Sequence, residues 1–186
     1  MAKPVAARGF ARDRVVDAAL ELFAQRGIRG TSIQMIAARL GVTKASVYYQ
    51  FQSKDDIVLA VAKPLIDDIR HIQRVAAMLP SHQARRDVAL SGLIDLAIRH
   101  RQVANVIYGD PCMRQLMNNR PALRETIDGF TGLLFGPEST ETEVVAMTLL
   151  TAGIYGCTAD VRLDGISDDA LRAKLQEVVR RFASTV

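Results

Sequence analysis

The stretch from Thr31 to Lys54, TSIQMIAARLGVTKASVYYQFQSK, decides the fold of the first part of this chain. Its first half carries apolar residues spaced as on one face of a helix, namely Ile33, Ile36, Ala37 and Leu40. Gly41 ends that helix after barely two turns, and Thr43 can cap a further short helix from Lys44 to about Phe51. Two short helices joined by a tight, glycine-containing turn predict a helix-turn-helix motif.

The exposed side chains of the second short helix have the chemistry of a DNA-reading surface. A helix-turn-helix places the N-terminal part of its second helix in the major groove. Lys44 can pair with phosphate or guanine, Ala45 can contact a thymine methyl group, and Ser46 can hydrogen-bond to either base type. Two adjacent exposed tyrosines are costly without a partner, and their hydroxyl groups suit phosphate contacts. The predicted surface comprises Thr43, Lys44, Ala45, Ser46, Tyr48 and Tyr49.

The residues on either side of this motif predict contacts to a phosphate backbone. Thr31 and Ser32 place hydroxyl groups and amide donors at a helix N-terminus, which is a favourable anion site. Lys54, at the start of the next helix, adds a positive charge on the same side. An earlier helix, from about Arg12 to Gln25, supplies a surface for the motif to pack on. The alternative is a plain three-helix bundle with a polar face.

The charge distribution agrees with a polyanion-binding N-terminal segment. Residues 1–54 contain nine Lys or Arg against three Asp or Glu, which makes this segment +6. The remainder contains fifteen basic and seventeen acidic residues, which makes it −2. A basic module on a slightly acidic body favours nucleic acid as the partner of that module.

Residues 15–61, VVDAALELFAQRGIRGTSIQMIAARLGVTKASVYYQFQSKDDIVLAV, resemble the N-terminal domain of the TetR family of transcriptional regulators. The resemblance rests on Ala-Leu-x-Leu-Phe in the first helix, Thr-Ser before the second, and GVTKASVYYQF followed later by Ser-Lys. It implies that residues 43–49 contact an operator in double-stranded DNA. It further implies that phosphates are held by Thr31, Ser32, Gln34, Tyr48 and Lys54.

The remaining sequence also follows helical spacing, and no segment alternates with period two, so we expect an all-α protein. Ser53 opens a fourth helix whose apolar stripe continues past Pro64, which predicts either one kinked helix or two helices meeting near Lys63. A long helix is expected from about His82 to Val106, and the last two over about 140–163 and 168–183. We expect a three-helix helix-turn-helix domain over 1–54 and a larger α-helical ligand-binding and dimerisation domain over 55–186.

The last two helices are expected to form a two-fold dimer interface, as the family resemblance implies. The final helix carries an apolar stripe, and the preceding helix carries small residues that let helices approach closely. The predicted interface comprises Gly153, Gly156, Leu171, Leu175, Val178 and Phe182. The alternative is that these faces pack entirely within one subunit. A two-fold homodimer would predict a palindromic site with half-sites about one helical turn apart.

The family resemblance also implies an effector pocket in the second domain. Methionine and aromatic side chains suit adaptable apolar binding, and the candidates are Tyr108, Met113, Met117, Phe130, Met147, Tyr155 and Cys157. Each of these residues could equally be plain core. Arg101, His100 or Asn105 could orient a ligand. If the chain binds a ligand, its composition favours a small, largely apolar effector, and the family resemblance implies that this effector releases a repressor from DNA.

Two other classes of function compete with this interpretation. A regulator that binds DNA but senses no ligand is one, and a helical enzyme is a remote second. The three histidines lack metal-ligand spacing, and neither cysteine lies in a Cys-x-x-Cys pair. No phosphate loop, dinucleotide fingerprint or nucleophile elbow occurs. We therefore predict no catalytic residue, no metal site and no cofactor.

The sequence predicts a cytoplasmic protein. Cys112 and Cys157 are too few for a disulfide framework and are expected to be reduced thiols. The first residues lack the apolar segment of a secretory signal. No stretch approaches the ~20 apolar residues that cross a bilayer, so we expect no membrane partner.

Overall fold

The computed structural model describes residues 5–108, 110–135 and 139–183, with side chains from residue 11 to residue 181, and in this part of the chain it has helices and no strand. The helices are α1 (Val5–Gly30), α2 (Ile33–Leu40), α3 (Lys44–Gln50), α4 (Lys54–Ala77), α5 (His82–Arg99), α6 (Arg101–Ile107), α7 (Pro111–Asn119), α8 (Pro121–Phe135), α9 (Glu141–Ala159), a 3-10 helix (Val161–Leu163) and α10 (Asp168–Ala183). The expected all-α fold is confirmed.

The helices divide into two compact units. The first contains the chain up to Pro64 together with Val106–Leu116, and the second contains Leu65–Asn105 and Met117–Val186. In the first unit, α1 packs on α2 and α3, and α2 packs on α3. The core of these helices is built from fully buried apolar side chains, including Ala19, Phe23, Ile36, Ala37 and Val47. Ile33, Ile36 and Ala37 thus face inward, as predicted, whereas Leu40 is half-buried.

Helix α5 is central to the second unit. It packs against α8, α9 and α10, and α8 also packs against α9. Its sequence is accordingly apolar around most of its circumference in the last three turns, where Leu93, Ile94, Ala97 and Ile98 are buried. A helix that is covered on several sides needs apolar residues on several faces.

Several helix boundaries differ from the sequence-based predictions. α1 begins at Val5, before the predicted Arg12, and Gly27 interrupts it with φ 71° and ψ 164°, a conformation that glycine adopts without strain. α4 is one helix with Pro64 inside it, which decides between the two predicted alternatives. The long helix predicted over 82–106 is broken at His100, whose φ and ψ are −108° and 28°. No proline or glycine marks that break.

Candidate nucleic-acid interface

The N-terminus of α2 and the turn after it are set by two local interactions. The hydroxyl oxygen of Ser32 accepts a hydrogen bond from the amide of Met35 at 3.2 Å, so Ser32 is the N-cap. Gly41 closes the helix with φ 65°, and its amide and that of Val42 donate to carbonyls of the last turn. A side chain at Gly41 would be strained in this left-handed conformation. These caps fix the direction in which α3 leaves the turn.

Helix α3 is capped by Thr43 and anchored from behind. The amide of Ser46 donates to Thr43 Oγ1 at 3.2 Å, and the two hydroxyl oxygens are 2.9 Å apart. Val47 and Phe51 are buried, so α3 presents its other faces to solvent. Tyr49 is 72% exposed, and the Lys44 ammonium lies 5.6 Å from the centroid of the Tyr48 ring.

The structure brings most of the predicted DNA-contacting residues to the surface of the first unit. We call this set the recognition face: Ser32, Gln34, Thr43, Lys44, Ala45, Ser46, Tyr48 and Tyr49, all of them exposed. It combines one cation, hydroxyl and amide groups, and two aromatic rings. These groups can accept and donate hydrogen bonds at base edges and at phosphates.

Thr31 is a correction to the predicted set. Its side chain is 1% exposed, and its hydroxyl group lies 3.2 Å from the carbonyl oxygen of Leu22 and 3.0 Å from that of Gly27. The hydroxyl donates to these carbonyls where Gly27 interrupts α1. Thr31 therefore holds the end of α1 together, and its hydroxyl group is not on the surface that a phosphate would reach.

Replacing Thr31 by valine should lower the free energy of unfolding by about 1–3 kcal/mol, because the buried carbonyls lose their hydroxyl donor while the side-chain shape is kept. Urea denaturation followed by circular dichroism measures this change. Thr31→Ser keeps the hydroxyl group and serves as the control. A Thr31→Val protein with unchanged stability but weakened DNA binding would contradict the structural role.

Lys54 also has an internal role that its sequence position did not reveal. Its ammonium group donates to the carbonyl oxygens of Ile28 at 3.0 Å and Thr31 at 3.1 Å. A positive charge at the C-terminal end of α1, where the carbonyl of Ile28 lies, is favourable with respect to the helix dipole. An ammonium group has three donors, so one remains for a phosphate. The main role of Lys54 in the described structure is therefore to connect α4 to the end of α1.

Two further charged contacts stabilise the motif and were not predicted. Arg12 donates through Nη1 to the carbonyl oxygen of Gln50 at 2.8 Å, and its guanidinium lies 4.0 Å from the centroid of the Phe51 ring. Arg39 forms an ion pair with Glu21 at 2.6 Å, which joins α2 to α1. Arg12 thereby satisfies a carbonyl at the end of α3. No spacing rule connects residues this far apart in sequence.

The predicted effector residues are divided between the two units. Tyr108 and Met113 belong to the first unit, whereas Met117, Phe130, Met147, Tyr155 and Cys157 belong to the second. In the second unit Phe130 and Met147 are buried, and the other three are partly exposed. The pocket thus remains a prediction.

The second unit contains an open groove elsewhere. It has a volume of about 430 Å³ and is lined by Asp87, Leu90, Ser91, Ile94, Gln176, Val179 and Arg180 of α5 and α10. None of the predicted effector residues lines it. Two of the three predicted polar anchors are engaged within the chain: His100 Nε2 lies 2.9 Å from Asp68 Oδ2, and Arg101 pairs with Asp168. This contact of His100 is the main cause that lowers the pKa of Asp68.

The predicted dimer residues fall into two groups. Gly153, Gly156 and Val178 are exposed, whereas Leu171 and Leu175 are buried within the chain, and Phe182 lies outside the described side chains. On α9, exposed apolar and small residues form one stripe, which we call the α9 face: Val145, Leu149, Ala152, Gly153 and Gly156. Leu149 is 64% exposed. A single subunit leaves this stripe uncovered.

Helix α9 is also long and apolar enough to cross a membrane by length and composition, contrary to the sequence-based expectation. The most apolar window of this helix has a mean hydropathy of 1.2, and 28% of it is buried within the chain. One such helix is weak evidence for a membrane span, because helices that pack against protein have the same composition. An exposed apolar surface of this kind is typical of an interaction site.

Comparisons with known proteins find a family match in the first part of the chain. Residues 15–61 match the family model described as bacterial regulatory proteins, tetR family. The chain is 30% identical over 111 residues to the HTH-type transcriptional repressor KstR2 of Rhodococcus jostii (strain RHA1). That match spans 59% of this chain and 53% of the relative, so it covers about half of the curated protein's length.

Solved structures share the fold over nearly the whole chain. A TetR-like transcriptional regulator from Rhodococcus sp. RHA1 superposes with a TM-score of 0.65 at 21% identity, covering 98% of this chain and 99% of that one. The regulator FadR from Bacillus subtilis, in complex with stearoyl-CoA, superposes with a TM-score of 0.62 at 19% identity, covering 94% and 98%. At these identities the likeness shows the fold.

Proposed function

We propose that this chain is a homodimeric transcriptional repressor of the TetR family of bacterial regulatory proteins, whose family model matches its residues 15–61. It binds a palindromic operator in double-stranded DNA and is released by a small, largely apolar effector. It acts in the cytoplasm and requires neither a cofactor nor a membrane.

The observation that carries the proposal is the recognition face. Thr43 and Gly41 fix α3 at a tight turn, and Val47 anchors it on the core. The cation and the hydroxyl groups of α3 then face outward together. Tyr49 is 72% exposed, so its ring and its hydroxyl group are available to contact DNA. In a helix-turn-helix this is the surface that enters the major groove, with Lys44 placed for guanine or phosphate.

The α9 face supports the dimer. Its exposed valine and leucine side chains lie on one side of α9, and its glycines allow close approach of a second helix. Val178 offers a further exposed apolar side chain on α10. Two copies related by a two-fold axis would cover each other's α9 faces and present two recognition helices to the two half-sites of a palindrome.

Repression and release by an effector are supported by relatives. KstR2 is named a repressor, and FadR was crystallised with stearoyl-CoA. An effector acts by binding more tightly to the conformation of the protein that does not fit DNA. We propose that the effector moves the recognition helices through α4. The alternative is a regulator that senses no ligand.

The test is selection of DNA sequences by the purified chain from a pool of randomised duplexes at physiological salt. The expected result is enrichment of a palindrome with half-sites about one helical turn, or 10 base pairs, apart. Enrichment of no sequence would refute the DNA-binding function. A thermal-shift screen of small molecules then separates the ligand-responsive repressor from the regulator that senses nothing.

A further inference from the structure

Arg86 of α5 is held in an unusual environment inside the second unit. Among the buried side-chain nitrogen and oxygen atoms that the structure describes, its Nε is without a hydrogen-bond partner. Among the described residues, its Nη2 donates to the thioether sulfur of Met147, at 3.5 Å. A buried donor without an acceptor is costly, and a guanidinium does not lose its proton to avoid that cost.

The two atoms concerned lie on the same edge of the guanidinium. Nε and Nη2 present two roughly parallel N–H groups, which is the edge that binds a carboxylate through both oxygens. Here that edge meets Met147, and a neutral thioether sulfur is only a weak acceptor. The side chain therefore offers a carboxylate-binding edge with no carboxylate on it.

The hydrogen bonds of Glu143 and Asp87 that the structure describes go to groups other than Arg86. Glu143 of α9 uses Oε2 to accept hydrogen bonds from the amide of Thr140 at 2.8 Å and from its hydroxyl group at 3.0 Å. These two bonds are the main reason that the pKa of Glu143 lies below its ordinary value, and attraction to Arg86 is a minor one. Asp87 accepts from Gln83 at 2.8 Å. Neither is hydrogen-bonded to Arg86 in the described structure.

We infer that Arg86 binds the carboxylate of an apolar carboxylic acid, which takes the place of the Met147 sulfur at the α5–α9 contact. This inference rests on the proposed function, since that acid would be the effector. The buried residues of the same two helices are apolar, among them Leu90, Leu93 and Leu150. The unbranched Met147 side chain has several rotamers and can move aside. The ligand class is thus an apolar body with one carboxylate.

The first test uses stability without any ligand. Replacing Arg86 by methionine removes a guanidinium whose buried Nε lacks an acceptor and keeps an unbranched side chain, so the melting temperature should rise by about 2–4 °C. Arg85→Met is the matched control, because Arg85 donates through Nε to the carbonyl oxygen of Leu79 at 2.9 Å and its loss should lower the melting temperature. If Arg86→Met lowers it as much as the control does, Arg86 is a structural residue and the inference falls.

The second test uses octanoate, decanoate and dodecanoate, with the primary alcohols of the same lengths as probes lacking the charge. The acids should raise the melting temperature of the wild-type chain more than the alcohols do. In Arg86→Met the apparent Kd for the acids should weaken about tenfold or more, with the alcohols unaffected. Acids that shift both proteins equally, or neither, overturn the inference.

Operator binding by the wild-type chain keeps this inference distinct from the proposed function. If the chain selects a palindrome but does not bind the acids, the proposed DNA-binding function stands and the Arg86 site is refuted. If the chain binds the acids through Arg86 but selects no DNA, the Arg86 site stands and the proposed function is refuted.

Discussion

Leu149→Arg should convert the proposed dimer into a monomer and remove detectable binding to a palindromic operator. Leu149 is 64% exposed in the single chain, so the substitution leaves the fold of the subunit intact. In a dimer covered at the α9 face, two arginines would be buried close to each other without partners. An unpaired charge that is buried in an interface costs about 3–5 kcal/mol of binding free energy, which is enough to dissociate a modest interface.

Sedimentation velocity measures this effect against the subunit mass of 20.4 kDa. The wild type should sediment with twice that mass and the variant with the subunit mass. Met78→Arg is the matched control, since Met78 is an even more exposed apolar residue, at 84%, that lies outside the α9 face. A Leu149→Arg protein that remains dimeric and binds the operator normally would show that another surface makes the dimer.

Lys44→Ala and Tyr48→Ala should each weaken operator binding strongly while leaving the fold unchanged. Both side chains are exposed, and neither supports the core beneath α3, which Val47 and Phe51 form. Each contact contributes about 1–3 kcal/mol at a base edge, and a dimer makes it twice. If Lys44 pairs with phosphate, the slope of log affinity against log salt should fall by about 1 for each half-site.

Fluorescence anisotropy with the selected operator, at several salt concentrations, measures both quantities. Arg124→Ala is the charge control, because it removes one exposed cation from α8 in the second unit. Tyr48→Phe separates the hydroxyl group from the ring. If Lys44→Ala and Tyr48→Ala bind the operator with the same affinity as Arg124→Ala, the DNA-contacting surface lies elsewhere on the chain.

The recognition motif could be predicted from sequence because it depends on short-range interactions. Gly41 marks the left-handed end of α2, and Thr43 caps the helix that follows. The inward positions Ile36 and Val47 follow from helical spacing alone. All of these signals act within one or two helical turns, so the printed sequence contains them entirely.

The roles of individual polar side chains could not be predicted in the same way. Thr31 and Lys54 lie beside the motif and resemble phosphate contacts, yet the tertiary structure directs both to carbonyls at or just after the end of α1. Arg12 reaches Gln50 across most of the first unit's sequence. Such partners are chosen by the packing of helices, because a buried carbonyl must find a donor wherever the chain brings one.

The sequence by itself therefore determined the all-α class, the helix-turn-helix and the outward-facing set on α3, since helical spacing and caps are local properties. Only the tertiary structure decided that Leu171 and Leu175 are buried within the subunit while the α9 face stays exposed, and that Arg86 lies against Met147 without a better acceptor. Apolar stripes on neighbouring helices look alike in sequence. Which stripe is buried within the chain, and which is left for a partner or a ligand, depends on how the helices pack on one another.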